Sequence, residues 1–190
     1  MTKRISQIVL IITFLGFCWL FMQVVHELGH VLGSWITGAE ITKVALYPTI
    51  FSRTEIGYNP NPLFVVWAGP IVGVSVPVLL FGMFKIRSFP FVYMARFFAG
   101  FCLVANGAYI AFSPLEGSTD AGIMIFYGSP RSLLILFGIL AILTGLFLWH
   151  GQGSHFGLDK AEGQVNRAAT IFSVLLFIVI IAVELAVGSR

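Results

Sequence analysis

The chain has 190 residues, 58% of them hydrophobic and only 10% charged, with a mean hydropathy of +0.95; this excludes an ordinary soluble domain. The net charge of +3 is spread through the connections without a basic run, so nucleic acid is excluded as a partner despite the high pI. The composition predicts an all-α polytopic membrane protein, a single integral membrane domain over residues 1–190 whose surroundings are the lipid bilayer.

About 20 apolar residues cross a bilayer core, and on that measure the first span covers Ile5 to Ile36. Its N-terminal Met1-Thr2-Lys3-Arg4 looks like the start of a signal peptide, but the apolar run is long and lacks a small-x-small cleavage site, so it is expected to be retained. From Ile8 to Val25 the span holds no charged residue, and it then enters His26-Glu27-Leu28-Gly29-His30. On a helix the histidines of this H-E-x-x-H motif stand at i and i+4, one turn apart on one face. Both imidazoles can then reach one Zn²⁺, while Glu27 can take a proton from water activated there. An ionisable group at membrane depth costs about 2.5–3.5 kcal/mol on insertion scales, which argues for a function. The competing account is a degenerate site or a structural polar cluster.

The segment from Gly38 to Pro62 alternates apolar and polar residues between Lys43 and Tyr58 before an Asn59-Pro60-Asn61-Pro62 breaker, which predicts a short β-hairpin at the membrane surface or an irregular loop. Further spans are expected at Leu63 to Phe84, Phe89 to Phe112, Ser132 to Trp149 and Ala168 to Val187. Together they give a bundle of about five transmembrane helices. Asp120 to Tyr127 is too short to cross and is cut off by Gly128-Ser129-Pro130; it begins the fourth long helix or forms a half-helix before it. Cys18 and Cys102 lie in apolar spans and read as small buried hydrophobes. With the N-terminus inside, Lys3, Arg4, Lys85, Arg87, Lys160 and Arg167 lie on the inner side, against Lys43, Arg53, Arg131 and Arg190 outside. This bias favours a cytoplasmic N-terminus.

A catalytic zinc takes three protein ligands and keeps a position open. Topology prunes the candidates for the third. The motif emerges at the outer end of the first span, the side on which the connection carrying Glu116 and Asp120 also lies. His150, His155, Asp159 and Glu162 fall on the opposite side, about 30 Å away, and Glu184 is expected to snorkel to the surface near the end of the last span. Asp120 follows the capping residues Ser118 and Thr119 and sits in a first helical turn, where the dipole favours a carboxylate, so it is preferred over Glu116.

These residues resemble the site-2 protease family of intramembrane zinc metalloproteases, in particular its small members without a PDZ domain. The resemblance rests on His26-Glu27-Leu28-Gly29-His30 with Val31-Leu32-Gly33 and Thr37-Gly38 behind it, on Ala68-Gly69-Pro70, and on the segment from Asn106 to Gly122. In that segment Pro114-Leu115-Glu116-Gly117 is similar to the family's Pro-x-Leu-Asp-Gly with Glu in place of Asp, and Thr119-Asp120-Ala121-Gly122 is similar to a Gly-Asp-Ala element of small relatives. It covers roughly Ile5 to Pro130, making 5–130 the metalloprotease core and 131–190 additional transmembrane helices. It implies a zinc endopeptidase with His26, His30 and Asp120 on Zn²⁺, Glu27 as general base, Asn106 holding substrate or transition state, and a transmembrane protein as substrate. The departure at Glu116 leaves the third ligand open between Asp120 and Glu116, and the other reading of Asn106 is an interhelical hydrogen bond. Two further classes stay open: a scaffold or assembly protein that keeps a metal site, and a metal transporter, which would need polar ligands spread over several spans. Gly29-x-x-x-Gly33 and Gly69-x-x-x-Gly73 offer close helix contacts and allow association with other membrane proteins.

Overall fold

The computed structural model describes residues 3–114 and 119–188. Among them five helices are long and apolar enough to cross a membrane: α1 (Lys3–Thr37), α2 (Pro62–Ile86), α3 (Val92–Phe112), α5 (Arg131–Trp149) and α6 (Arg167–Gly188). Between α3 and α5 lies a short helix, α4 (Asp120–Phe126). It is a separate half-helix rather than the start of α5, because Gly128 turns with φ 95° and Pro130 fixes the entry to the next helix.

After α1 the chain forms an antiparallel hairpin, β1 (Ile41–Ala45) with β2 (Arg53–Ile56). Its register pairs Lys43 with Glu55 and Val44 with Thr54, and a bulge falls between Ile41 and Lys43. The alternation expected over Lys43 to Tyr58 is therefore a hairpin and not an irregular loop.

Neighbours in the bundle are set by small residues. A Cβ on Gly107 would stand 2.9 Å from the Gly138 carbonyl and one on Gly100 2.9 Å from that of Gly145, so α3 and α5 run antiparallel in close contact. Thr13 and Ser173 share a hydrogen bond of 2.8 Å and Gly16 faces Phe177, which makes α6 parallel to α1. The N-terminal half of the bundle is filled by aromatic rings: Phe14, Phe17, Phe21, Phe97, Phe98 and Phe156 meet with centroids 5.0–6.1 Å apart. Polar side chains gather at the other end, where α1 terminates.

One expectation fails. Glu184 does not snorkel; it is fully buried, and neither carboxylate oxygen has a hydrogen-bond partner among the described residues. The last turn of α6 lies against the hairpin at Leu46, and Glu184, one turn earlier, is on the face of α6 that the protein covers.

Candidate metal centre

α1 places His26, Glu27 and His30 in the interior, each 7% exposed, with one ligand atom from each within 4.8 Å of the others. α4 brings the fourth group. Thr119 caps α4 by accepting from the Gly122 amide at 3.1 Å, and the Asp120 amide donates to the Tyr109 hydroxyl at 3.3 Å. Held at both points, Asp120 sets its Oδ2 2.8 Å from His26 Nε2 and 3.4 Å from His30 Nε2. The two Nε2 atoms are 3.1 Å apart.

The surrounding hydrogen bonds fix what those atoms carry. The Asn106 amide donates through Nδ2 to the Cys102 carbonyl at 2.9 Å, so its Oδ1 accepts from His26 Nδ1 at 2.6 Å. His30 Nδ1 donates to the Val65 carbonyl at 3.0 Å. With both Nδ1 atoms protonated, each neutral imidazole directs an Nε2 lone pair at the same carboxylate oxygen. Three electron-rich atoms converging in a buried space repel unless a cation or extra protons sit among them. Where extra protons fill that role, burial still raises the pKa of Asp120, but hydrogen bonds from His26 and His30 protonated at Nε2, with their charge, outweigh it and hold the carboxyl well below the ordinary range.

Zn²⁺ bonds of 2.0–2.1 Å in a tetrahedron imply ligand atoms about 3.3 Å apart, and separations of 2.8, 3.1 and 3.4 Å come near that triangle. The donor set of two imidazoles and one carboxylate, each imidazole oriented from behind by an oxygen, fits a zinc site with one position left open. His26, His30, Asp120 and Glu27 line a cleft of about 1640 Å³ bordered by α1, β2, α2, α3 and α4. At the edge of the cleft Glu27 Oε2 accepts from the Thr54 hydroxyl of β2 at 2.7 Å, and one helical turn below, Gln23 Oε1 accepts from the Ser52 amide at 2.9 Å.

The structure thus brings together His26, His30, Asp120, Glu27 and Asn106. Glu116 lies outside the described residues. His150, His155, Asp159 and Glu162 are at the other end of the bundle, where Gln7 near the start of α1 donates to the Phe156 and Gly157 carbonyls at 3.1 and 2.8 Å and His155 stacks on Tyr93 at 4.5 Å. Sequence reasoning missed Thr54 and Tyr109. Tyr109 has a local signal, standing three residues after Asn106 on the same helical face; Thr54 has none, since the hairpin fold alone brings it to Glu27. Compared with family models, with curated proteins and with solved structures, the chain matches none.

Close packing of α2 makes room for the imidazoles. A Cβ on Gly69 would overlap the His30 ring and stand 2.9 Å from His26 Nε2, and one on Gly29 would overlap the Ala68 carbonyl. Gly69→Ala is therefore expected to displace both rings, costing about 1–3 kcal/mol through overpacking and, were the group to hold zinc, weakening that binding at least about 10-fold. Chelator competition and thermal unfolding measure the two effects.

Proposed function

We propose that this chain is an intramembrane zinc metalloprotease that hydrolyses peptide bonds of transmembrane protein substrates. The observation that carries the proposal is the convergence of two Nε2 lone pairs and the Asp120 carboxylate beside Glu27, inside apolar helices and open to a cleft. The resemblance to site-2 proteases agrees with it. Zn²⁺ held by His26, His30 and Asp120 would supply Lewis-acid activation of water and of the scissile carbonyl.

The chain's own groups do the rest. Glu27, fixed by the Thr54 hydroxyl, takes the proton of the attacking water; the water oxygen bonds to the carbonyl carbon, the C–N bond breaks, and Glu27 returns the proton to the leaving amine. His26 is held in its ligating tautomer by Asn106, and His30 by the Val65 carbonyl. In this reading Asn106 acts through His26, since both ends of its amide are engaged within the protein.

The cleft exceeds the roughly 300–1,000 Å³ of small-molecule pockets, which supports a polypeptide segment as occupant. A transmembrane substrate has its backbone hydrogen bonds satisfied internally and must unwind to be cut. β2 has a strand neighbour on one side only, and Ser52 to Ile56 line the cleft. An unwound segment can pair there and recover backbone hydrogen bonds. The balance of Lys and Arg favours a cytoplasmic N-terminus, which places the centre toward the opposite membrane face.

In liposomes containing the purified protein and a single-span substrate, 1,10-phenanthroline is expected to stop cleavage and one equivalent of Zn²⁺ to restore it. Cleavage that survives complete removal of metal overturns the proposal. So does stoichiometric zinc without cleavage of any membrane substrate tried, which leaves a structural metal site.

A further inference from the structure

The tetrahedral adduct formed in peptide hydrolysis carries a negative oxygen where the carbonyl stood, and catalysis needs a donor aimed at it. The polar groups around the cleft can be sorted by where their protons already go. Asn106 is 1% exposed and gives one of its two Nδ2 protons to the Cys102 carbonyl at 2.9 Å; the Thr54 hydroxyl donates to Glu27 at 2.7 Å and the Thr119 hydroxyl to the Pro114 carbonyl at 2.6 Å. Arg53 stands on the hairpin, paired with Glu55 at 3.0 Å. The Gln23 Nε2 is sealed inside the protein.

Tyr109 differs. Its hydroxyl oxygen accepts the Asp120 amide proton at 3.3 Å, and no acceptor among the described residues takes its own proton. The ring stands edge-on to His26, with centroids 5.9 Å apart and planes at 76°, and it is 37% exposed on the wall of the cleft. Asp120 therefore does two things: its Oδ2 completes the ligand triangle, and its amide anchors the phenol oxygen so that the free O–H is directed away from the backbone. We infer that Tyr109 is a catalytic residue of this centre, donating its phenol hydrogen bond to the oxyanion that develops on the scissile carbonyl.

This inference rests on the metalloprotease proposal above and adds to it a group that binds the adduct rather than the metal. The proton is shared and not transferred: Tyr109 remains a phenol as the C–N bond breaks, and the amine receives its proton from Glu27.

Tyr109→Phe keeps the ring against His26 and removes only the hydroxyl. With zinc at one equivalent, kcat is expected to fall about 10²–10³-fold while KM for the membrane substrate stays within about 3-fold. Affinity for a phosphinic peptide, whose tetrahedral anion mimics the adduct, should fall about 10²-fold. Asn106→Ala should show the opposite split, with zinc affinity about 10–100-fold weaker and phosphinic-peptide affinity retained once zinc is saturating. The inference is overturned if zinc-loaded Tyr109→Phe keeps wild-type kcat and phosphinic-peptide affinity. It is also overturned if Tyr109→Phe loses zinc in proportion to its activity, which would make the hydroxyl only a support for Asp120. Failure of the underlying proposal looks different: the zinc-loaded wild type itself neither cleaves nor binds the phosphinic peptide.

Discussion

In the proposed metalloprotease, Glu27→Gln should leave a folded, zinc-loaded protein whose cleavage of a co-reconstituted membrane substrate is about 10³-fold slower than wild type, the middle of the range for losing a general base and equivalent to about 4 kcal/mol in the barrier. The substitution isolates basicity from geometry. Glutamine has the length of glutamate, and its side-chain carbonyl can still accept from the Thr54 hydroxyl that now sits 2.7 Å from Glu27. The hairpin thus stays docked and the imidazoles of His26 and His30 are untouched. What disappears is an oxygen able to take a proton from water. Metal analysis of the purified variant alongside the cleavage assay checks both halves, and wild-type rates in Glu27→Gln would remove Glu27 from the mechanism.

The sequence made the scaffold legible for a plain physical reason. A bilayer demands about 20 apolar residues per helix, and the five spans read from hydropathy begin and end within a few residues of α1, α2, α3, α5 and α6. The i, i+4 spacing of His26 and His30 is equally local. Asp120 could be singled out because alternating spans put its connection on the side where the motif emerges, and a capping Thr119 announced a helix start. Other features depend on pairings that leave no local trace. Glu184 is buried on the face of α6 that the protein covers, and no pattern within Ala168 to Val187 says which neighbour it has. Asn106 is visible as a polar residue in an apolar span, yet its engagement with His26 on one side and Cys102 on the other emerges only from the folded network. Thr54 reaches Glu27 because the bulged hairpin folds back over α1. Local periodicity reveals which faces are apolar; it does not reveal which polar atoms have already spent their hydrogen bonds.

The proposed zinc centre makes stability depend on the metal, and Asp120→Ala should abolish that dependence. A metal present at 100 times its dissociation constant stabilises the folded state by about 2.7 kcal/mol. Loss of a group that only hydrogen-bonds to a metal ligand weakens such sites about 10–100-fold, so loss of a ligand should weaken this one more than about 100-fold and remove at least about 2 kcal/mol of that increment. Thermal unfolding of wild type should shift upward on adding Zn²⁺ and fall back on chelation, whereas Asp120→Ala should unfold at one temperature in both conditions and purify without metal. The change is local: Asp120 sits at the first turn of a helix whose cap is supplied by Thr119, and its amide can still reach Tyr109, so α4 is retained. The measurement also decides between the two acids of the connection. Full zinc occupancy in Asp120→Ala, with loss in Glu116→Ala, would transfer the third bond to Glu116; the triangle formed by Asp120 Oδ2 with His26 and His30 Nε2 would then be an ion pair beside the metal instead of part of its shell.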